Sequence, residues 1–222
     1  VNEKITLVYN SKMDDAKSIE YDCLEAYATN KEFFNSEMGI IIQIADSRAE
    51  LEKISGVSHD KWFVGSGCGN NFIVVLSEKI VVEEGVKENF SLKKLLTHEI
   101  AHVFINHLFG KNIPIWFNEG LAMVVAKQEK NEFLNKEIIN CNTSKEWENM
   151  NFPYAPAYSF TKYLIKEFGK DKILEFISQL KGNKDINSFK DNFNNFFDTS
   201  LKNTRDKWIK GGKIANLQVA HK

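Results

Sequence analysis

Residues 95–103 read Leu-Leu-Thr-His-Glu-Ile-Ala-His-Val. Apolar residues flank the polar ones on both sides, which is typical of a helix buried over much of its circumference. His98 and His102 are four residues apart, so on a helix they project from one face about 5 to 6 Å apart. Two imidazoles at that spacing can bind one metal ion, although two histidines can also simply pack or face solvent. Glu99 is one position past His98, where it would miss the ion but reach a water molecule beside it.

A third ligand is expected downstream, because catalytic zinc usually has three protein ligands and one open position. Glu119 lies in a second apolar segment, residues 115–124, which a short turn at 110–112 connects to the first. Two antiparallel helices joined by so short a loop would bring Glu119 opposite His102, and a carboxylate among apolar side chains is costly without a cation. A solvent-exposed helical glutamate is the alternative. His107 is five residues past His102, about 140° around the helix, so we do not expect it to bind the ion.

Strands and helices alternate upstream of this stretch, and the chain is helical from residue 91 onward. The glycine-rich stretch 65–71 has neither a P-loop lysine nor a GxGxxG pattern, so it is interpreted as a plain turn. We therefore predict an α+β fold with a small N-terminal mixed sheet and helices, followed by a mainly helical C-terminal lobe. The predicted strands are residues 4–9, 39–45 and 72–76, and the predicted N-terminal helices are residues 14–35 and 48–54.

Composition is that of an ordinary soluble protein. Hydrophobic residues make up 43% and charged residues 27%, and the net charge of -1 gives no reason to expect nucleic acid or an acidic membrane as partner. The longest apolar runs are strand-sized, well short of the roughly 18 residues that span a bilayer. The three cysteines, Cys23, Cys68 and Cys141, allow at most one disulfide, so disulfides are not expected to hold this fold together.

The two apolar segments resemble the gluzincins of the peptidase MA superfamily, most closely its small bacterial metallopeptidases. The match is His-Glu-Ile-Ala-His at 98–102, followed by Trp-Phe-Asn-Glu-Gly-Leu-Ala at 116–122. It implies a zincin-like (thermolysin-like) catalytic architecture, a peptide or protein substrate, and Glu99 as the general base for a water that zinc activates. It also implies one catalytic zinc ion with His98, His102 and Glu119 as its ligands. Metzincins are a poorer match, because Ile105 and Leu108 stand where those enzymes have glycine and histidine.

A further segment, residues 154–164, resembles one in the aminopeptidase N and leukotriene hydrolase relatives, where a tyrosine nine residues before a Tyr-Leu pair donates to the developing oxyanion. By that match Tyr154 is the donor, and Tyr158, one helical turn later, is the second candidate. Either tyrosine can equally be a packed aromatic core residue. The Gly-x-Met-Glu-Asn segment of the aminopeptidases is missing before residue 98, which argues against aminopeptidase activity. Met123 stands where thermolysin has the acid that orients a ligand histidine.

The resemblance also suggests how a substrate would bind, extended along an edge strand, which we place at residues 72–76. Two alternatives remain: a zinc hydrolase of a non-peptide substrate, and a non-catalytic binding domain that zinc stabilises. Glu99 argues against the second, because a structural site needs no base.

The expected organisation is one catalytic domain over residues 1–210, with lobes at 1–90 and 91–210, and a loose tail at 211–222. We expect a monomer. The start at Val1, without an initiator Met, suggests that an upstream segment was removed. A secreted or cell-surface position is favoured over the cytoplasm, because unrestricted peptidases are hazardous inside cells.

Overall fold

The structure is a computed structural model that describes residues 4–9, 16–56, 63–67, 71–85, 90–110, 112–129, 134–151, 153–182 and 185–219. The predicted α+β class is confirmed, with a small four-stranded mixed sheet and many helices. The chain divides into two compact units, Val1–His107 and Leu108–Lys222. The single catalytic domain with lobes at 1–90 and 91–210 stays a prediction.

Among the described residues, the first unit contains the sheet and four helices. Its strands follow the order β1-β2-β4-β3, in which the first three are parallel neighbours and β3 runs antiparallel to β4. The predicted strands and helices are confirmed to within two residues at their ends. The elements are β1 (Ile5–Val8), α1 (Ala16–Phe34), β2 (Ile40–Ala45), α2 (Arg48–Ser55), β3 (Gly65–Gly67), β4 (Phe72–Leu76), α3 (Glu78–Glu83) and α4 (Leu92–Phe109), whose last two residues pass the boundary.

The two central strands, β2 and β4, are largely buried, which accounts for their mainly apolar sequences. In β2, Ile42 is fully buried, and in β4 the four residues from Ile73 to Leu76 are fully buried as well. Parallel strands covered on both faces appear in the sequence as continuous β-branched runs. The following helix α2 begins at the N-cap Ser47, whose Oγ accepts a hydrogen bond from the Glu50 N–H at 3.2 Å. It ends at Gly56, whose φ of 74° is the left-handed conformation that glycine adopts readily.

Two sequence predictions about this sheet are wrong. The stretch 65–71 is not a plain turn, because Gly65–Gly67 forms β3, paired antiparallel with β4. Glycine has a low strand propensity, but at Gly65 it allows close approach, since a Cβ would lie 2.8 Å from Val75 Cγ1. As a result β4 has a neighbour on each side and is not an edge strand. Residues 68–70 lie outside the described part of the chain.

Among its described residues, the regular secondary structure of the second unit consists entirely of helices. Its second helix, α6 (Ser144–Glu148), begins with a capping box between Thr143 and Glu146. Hydrogen bonds from the Thr143 backbone, the Thr143 hydroxyl and the Asn142 backbone lower the pKa of the Glu146 carboxyl. The predicted tail at 211–222 falls on the last helix as far as Val219, and the final three residues are outside the description. The elements are α5 (Ile115–Val125), α6 (Ser144–Glu148), α7 (Tyr154–Phe168), α8 (Lys170–Gln179), α9 (Phe189–Phe197) and α10 (Leu201–Val219), with 3₁₀ turns at Lys136–Asn140 and Ile186–Ser188.

Aromatic packing holds α5 against α7 in this unit. Trp116 is fully buried and stacks on Phe160 of α7 with ring centroids 5.3 Å apart. One turn later Gly120 has no side chain, and a Cβ there would lie 2.5 Å from the Ala157 carbonyl oxygen. The two helices therefore touch through backbone at Gly120, the residue that follows Glu119.

Two further expectations concern cysteines and membranes. Cys23 and Cys141 are buried free thiols, while Cys68 lies outside the described residues. Among the helices of the described chain, we find none with the length and hydropathy to traverse a lipid bilayer.

Candidate metal centre

Helix α4 places the two motif histidines on one face. The Nε2 atoms of His98 and His102 lie 3.0 Å apart, and the ring planes are inclined at 83°. His98 is 8% exposed and His102 is half-buried. Two nitrogens bound to one tetrahedral zinc ion at 2.0 to 2.1 Å are about 3.4 Å apart. Side-chain adjustments of a few tenths of an ångström would therefore suit both rings to one ion.

Helix α5 carries the predicted third ligand. Glu119 is half-buried, between the buried Trp116 and Phe117 one turn earlier and the backbone contact at Gly120. The aromatic anchors fix the rotation of α5 about its axis, because both rings are enclosed by the core of the second unit. The carboxylate therefore has a defined direction and is not on a freely exposed helix face.

The structure brings the three predicted ligands together. One ligand atom from each of His98, His102 and Glu119 lies within 4.8 Å of the other two. Two imidazole nitrogens and one carboxylate oxygen form a donor set that suits zinc and leaves a coordination position open. The group could therefore hold a metal ion.

Two further polar residues of α4 lie outside the three-residue group. Glu99 follows His98 on α4 and is half-buried. His107 is exposed near the C-terminal end of the same helix and is not part of the three-residue group. His98 and His102 belong to the group and His107 does not, as the 3.6-residue period of the helix predicts.

The two candidate tyrosines differ in their surroundings. Tyr154 is the first residue of α7, is 40% exposed, and meets the edge of the Trp147 ring at 4.9 Å between centroids. Tyr158 is 6% exposed, and its hydroxyl oxygen accepts a hydrogen bond from Lys162 Nζ at 3.2 Å. That hydrogen bond is the main reason why the pKa of Lys162 is raised. Tyr158 also follows Ala157, which contacts Gly120 beside Glu119.

One buried polar residue close to α4 was missed by the sequence analysis. Asn30 of α1 is fully buried and donates a hydrogen bond to the carbonyl oxygen of Thr97 at 3.0 Å. Thr97 immediately precedes His98. A signal was available in the sequence, because the helical spacing of Cys23 and Tyr27 continues to Asn30 and so predicts an amide on the apolar face.

The comparisons with known proteins complete the description of the site. No protein-family model, no curated protein and no solved structure matches this chain.

Proposed function

We propose that this chain is a zinc-dependent metallopeptidase of the gluzincin type, with a zincin-like catalytic architecture. His98, His102 and Glu119 would hold the zinc ion, and Glu99 would act as general base. The observation that supports this most directly is the clustering of the three ligand atoms within 4.8 Å. The sequence spacing between the histidines and the position of Glu99 agree with it.

The histidine pair supports a metal more than simple packing. Two Nε2 atoms 3.0 Å apart either share one proton or bind a common cation. A carboxylate close to both rings favours positive charge at that point, which a divalent cation supplies. Packing of apolar side chains alone would call for none of these three polar groups.

The chemistry follows from the roles of the surrounding residues. When bound, zinc supplies the Lewis acidity that makes water a nucleophile near neutral pH. Glu99 takes a proton from the attacking water and passes it to the nitrogen of the leaving amine as the peptide C–N bond breaks. A tyrosine hydroxyl donates a hydrogen bond to the carbonyl oxygen, on which negative charge develops.

Tyr158 is the better supported of the two tyrosines as that donor. An ammonium group can only donate hydrogen bonds, so in its contact with Lys162 the Tyr158 oxygen must accept. The phenolic proton is then free to point to another acceptor. Tyr154, by comparison, is 40% exposed and packs edge-on against Trp147.

The test uses the full chain with equimolar zinc and a mixed peptide library read by mass spectrometry. Cleavage should stop when a chelator removes the metal and return when zinc is added. Glu99→Gln should keep one zinc per chain and lose about 10²- to 10⁴-fold in hydrolysis rate, since only proton transfer is removed.

A matched pair of histidine variants serves as control. His102→Ala should lose zinc and activity, whereas His107→Ala, on the same helix but outside the cluster, should retain both. Normal peptide cleavage by Glu99→Gln, or by the wild type in excess chelator, would rule out the proposed function.

A further inference from the structure

Asn30 is a buried amide that the proposed mechanism does not use. It is 0% exposed and lies among the apolar residues of α1 that face the core of the first unit. Burying an amide costs free energy unless its polar atoms find partners.

The two contacts of the amide nitrogen fix the orientation of the group. Nδ2 donates to the carbonyl oxygen of Ala26 at 2.9 Å and to that of Thr97 at 3.0 Å. Both partners are acceptors, so the atom that meets them must be the nitrogen, and the amide cannot be flipped. Oδ1 is then the remaining atom, and it has no hydrogen-bond donor among the described residues.

Other contacts keep α1 alongside the motif helix. Glu25 pairs with Lys93 of α4 at 3.2 Å, and Phe34 stacks on Phe104 with centroids 5.6 Å apart. Asn30 lies between these two contacts in sequence and meets the backbone one residue before His98. The placement of the amide beside the motif is therefore set by packing on both sides.

The His98 ring is oriented with one of its two nitrogens toward His102. Its Nε2 faces Nε2 of His102 at 3.0 Å, so Nε2 is the nitrogen that can bind a shared ion. Nδ1 is then the nitrogen that carries a proton when the ring is a metal ligand. Histidine ligands generally donate that N–H to an oxygen acceptor, which fixes the ring and raises its basicity.

We propose that Asn30 is the positioning residue for His98, with its Oδ1 accepting the Nδ1–H of the ring when Nε2 binds metal. This inference rests on the metal site of the proposed function, but not on the reaction catalysed there. The Asn30 amide would then orient the ligand histidine, a role for which thermolysin has an acid at the position of Met123 in this chain.

The test measures zinc affinity of the full chain by competition with a chromophoric chelator, at a temperature where the metal-free variants are folded. Asn30→Ala should weaken zinc binding by about 10- to 100-fold, the usual loss for such outer contacts. Thr29→Ala is the matched control. Thr29 is the neighbouring residue of α1, and its hydroxyl likewise donates to the carbonyl four residues earlier, at 2.8 Å from Glu25 O. Its removal should leave zinc affinity unchanged.

A double-mutant cycle separates positioning from general destabilisation. In a His98→Ala background, Asn30→Ala should cause no further loss of zinc affinity, because the acceptor has no ring to orient. In the wild-type background, an NMR signal of the His98 Nδ1–H should shift on Asn30→Ala. Unchanged zinc affinity of Asn30→Ala, or an equal loss in both backgrounds, would overturn the proposal.

The outcome is distinct from that of the peptidase test. A chain that binds zinc through Asn30-supported His98 but cleaves no peptide would refute the proposed function and leave this inference standing. If the wild type cleaves peptides and Asn30→Ala binds zinc as tightly as the wild type, the proposed function stands and this inference is refuted. A full chain that binds no zinc at all would refute both.

Discussion

Replacing Gly120 by alanine tests whether α5 depends on close contact with α7. A Cβ at this position would lie 2.5 Å from the Ala157 carbonyl oxygen, 2.9 Å from its carbonyl carbon, and closer still to Thr161 Oγ1. Ordinary contacts of carbon with such atoms are about 3.5 Å. The two helices would therefore have to separate by about 1 Å, because backbone atoms cannot turn aside as a flexible side chain can.

Two opposing terms set the expected magnitude. Alanine is favoured over glycine within a helix by about 1 kcal/mol. Overpacking of a close contact typically costs about 1 to 3 kcal/mol, and three overlapping atoms place this site at the upper end. The net expectation is a loss of about 2 kcal/mol in the free energy of unfolding. For a chain of 222 residues this corresponds to a fall of about 4 to 8 °C in the melting temperature.

The assay is thermal and urea unfolding of the metal-free chain, with Gly211→Ala as control. Gly211 also lies in a helix, α10, but a Cβ there meets nothing within 4 Å. That variant should gain up to about 1 kcal/mol from helix propensity alone. A Gly120→Ala variant as stable as the wild type, or more stable, would refute the close contact from which the prediction is derived.

Four other predictions can be tested on the same protein. Glu119→Ala should weaken zinc binding, measured by chelator competition, by more than the 10- to 100-fold typical of outer contacts; unchanged affinity would exclude it as a ligand. Tyr158→Phe should lower kcat about 10²-fold with little change in KM, and a larger fall in Tyr154→Phe would assign the donor role to that residue instead. Glu146→Gln should be less stable than wild type at neutral pH. The wild-type carboxyl has its pKa held below the ordinary 4.5, so this advantage is fully present above that value and should decline in urea titrations as the pH is lowered below it. Burial raises the pKa of Cys23 to about 12, so iodoacetamide at pH 8 should label that thiol only after denaturation.

Much of the first unit could be predicted because its signals are local. The β-branched runs of β2 and β4 and the cap at Ser47 each depend on a few adjacent residues. Strand β3 could not be predicted, since a Gly-Ser-Gly segment has no intrinsic preference for a strand and takes one from pairing with Val75 and its neighbours. The pairing of β3 with β4 also makes β4 an interior strand. The prediction of an edge strand at residues 72–76 failed because edge position depends on every strand of the sheet.

In the candidate site, too, features set by nearby residues could be predicted and contacts between distant residues could not. The spacing of His98 and His102 follows from the period of a single helix, so their approach could be predicted without a fold. The hydrogen bond from Asn30 to Thr97 joins residues 67 positions apart, and no pattern in either segment predicts the partner. The contact of Lys162 with Tyr158 lies between these cases, because its spacing of four residues was visible but its direction of donation was not.

The short strand β3 bears on the substrate range of the proposed peptidase. It ends the strand order of the described sheet, and of its three residues only Ser66 has a side chain beyond the α-carbon. An extended polypeptide aligned along that border would meet amide and carbonyl groups that are the same for every sequence. Under the proposed peptidase function, binding at that border would not distinguish the side chains of the bound polypeptide, and any preference for a cleavage site would have to come from residues elsewhere.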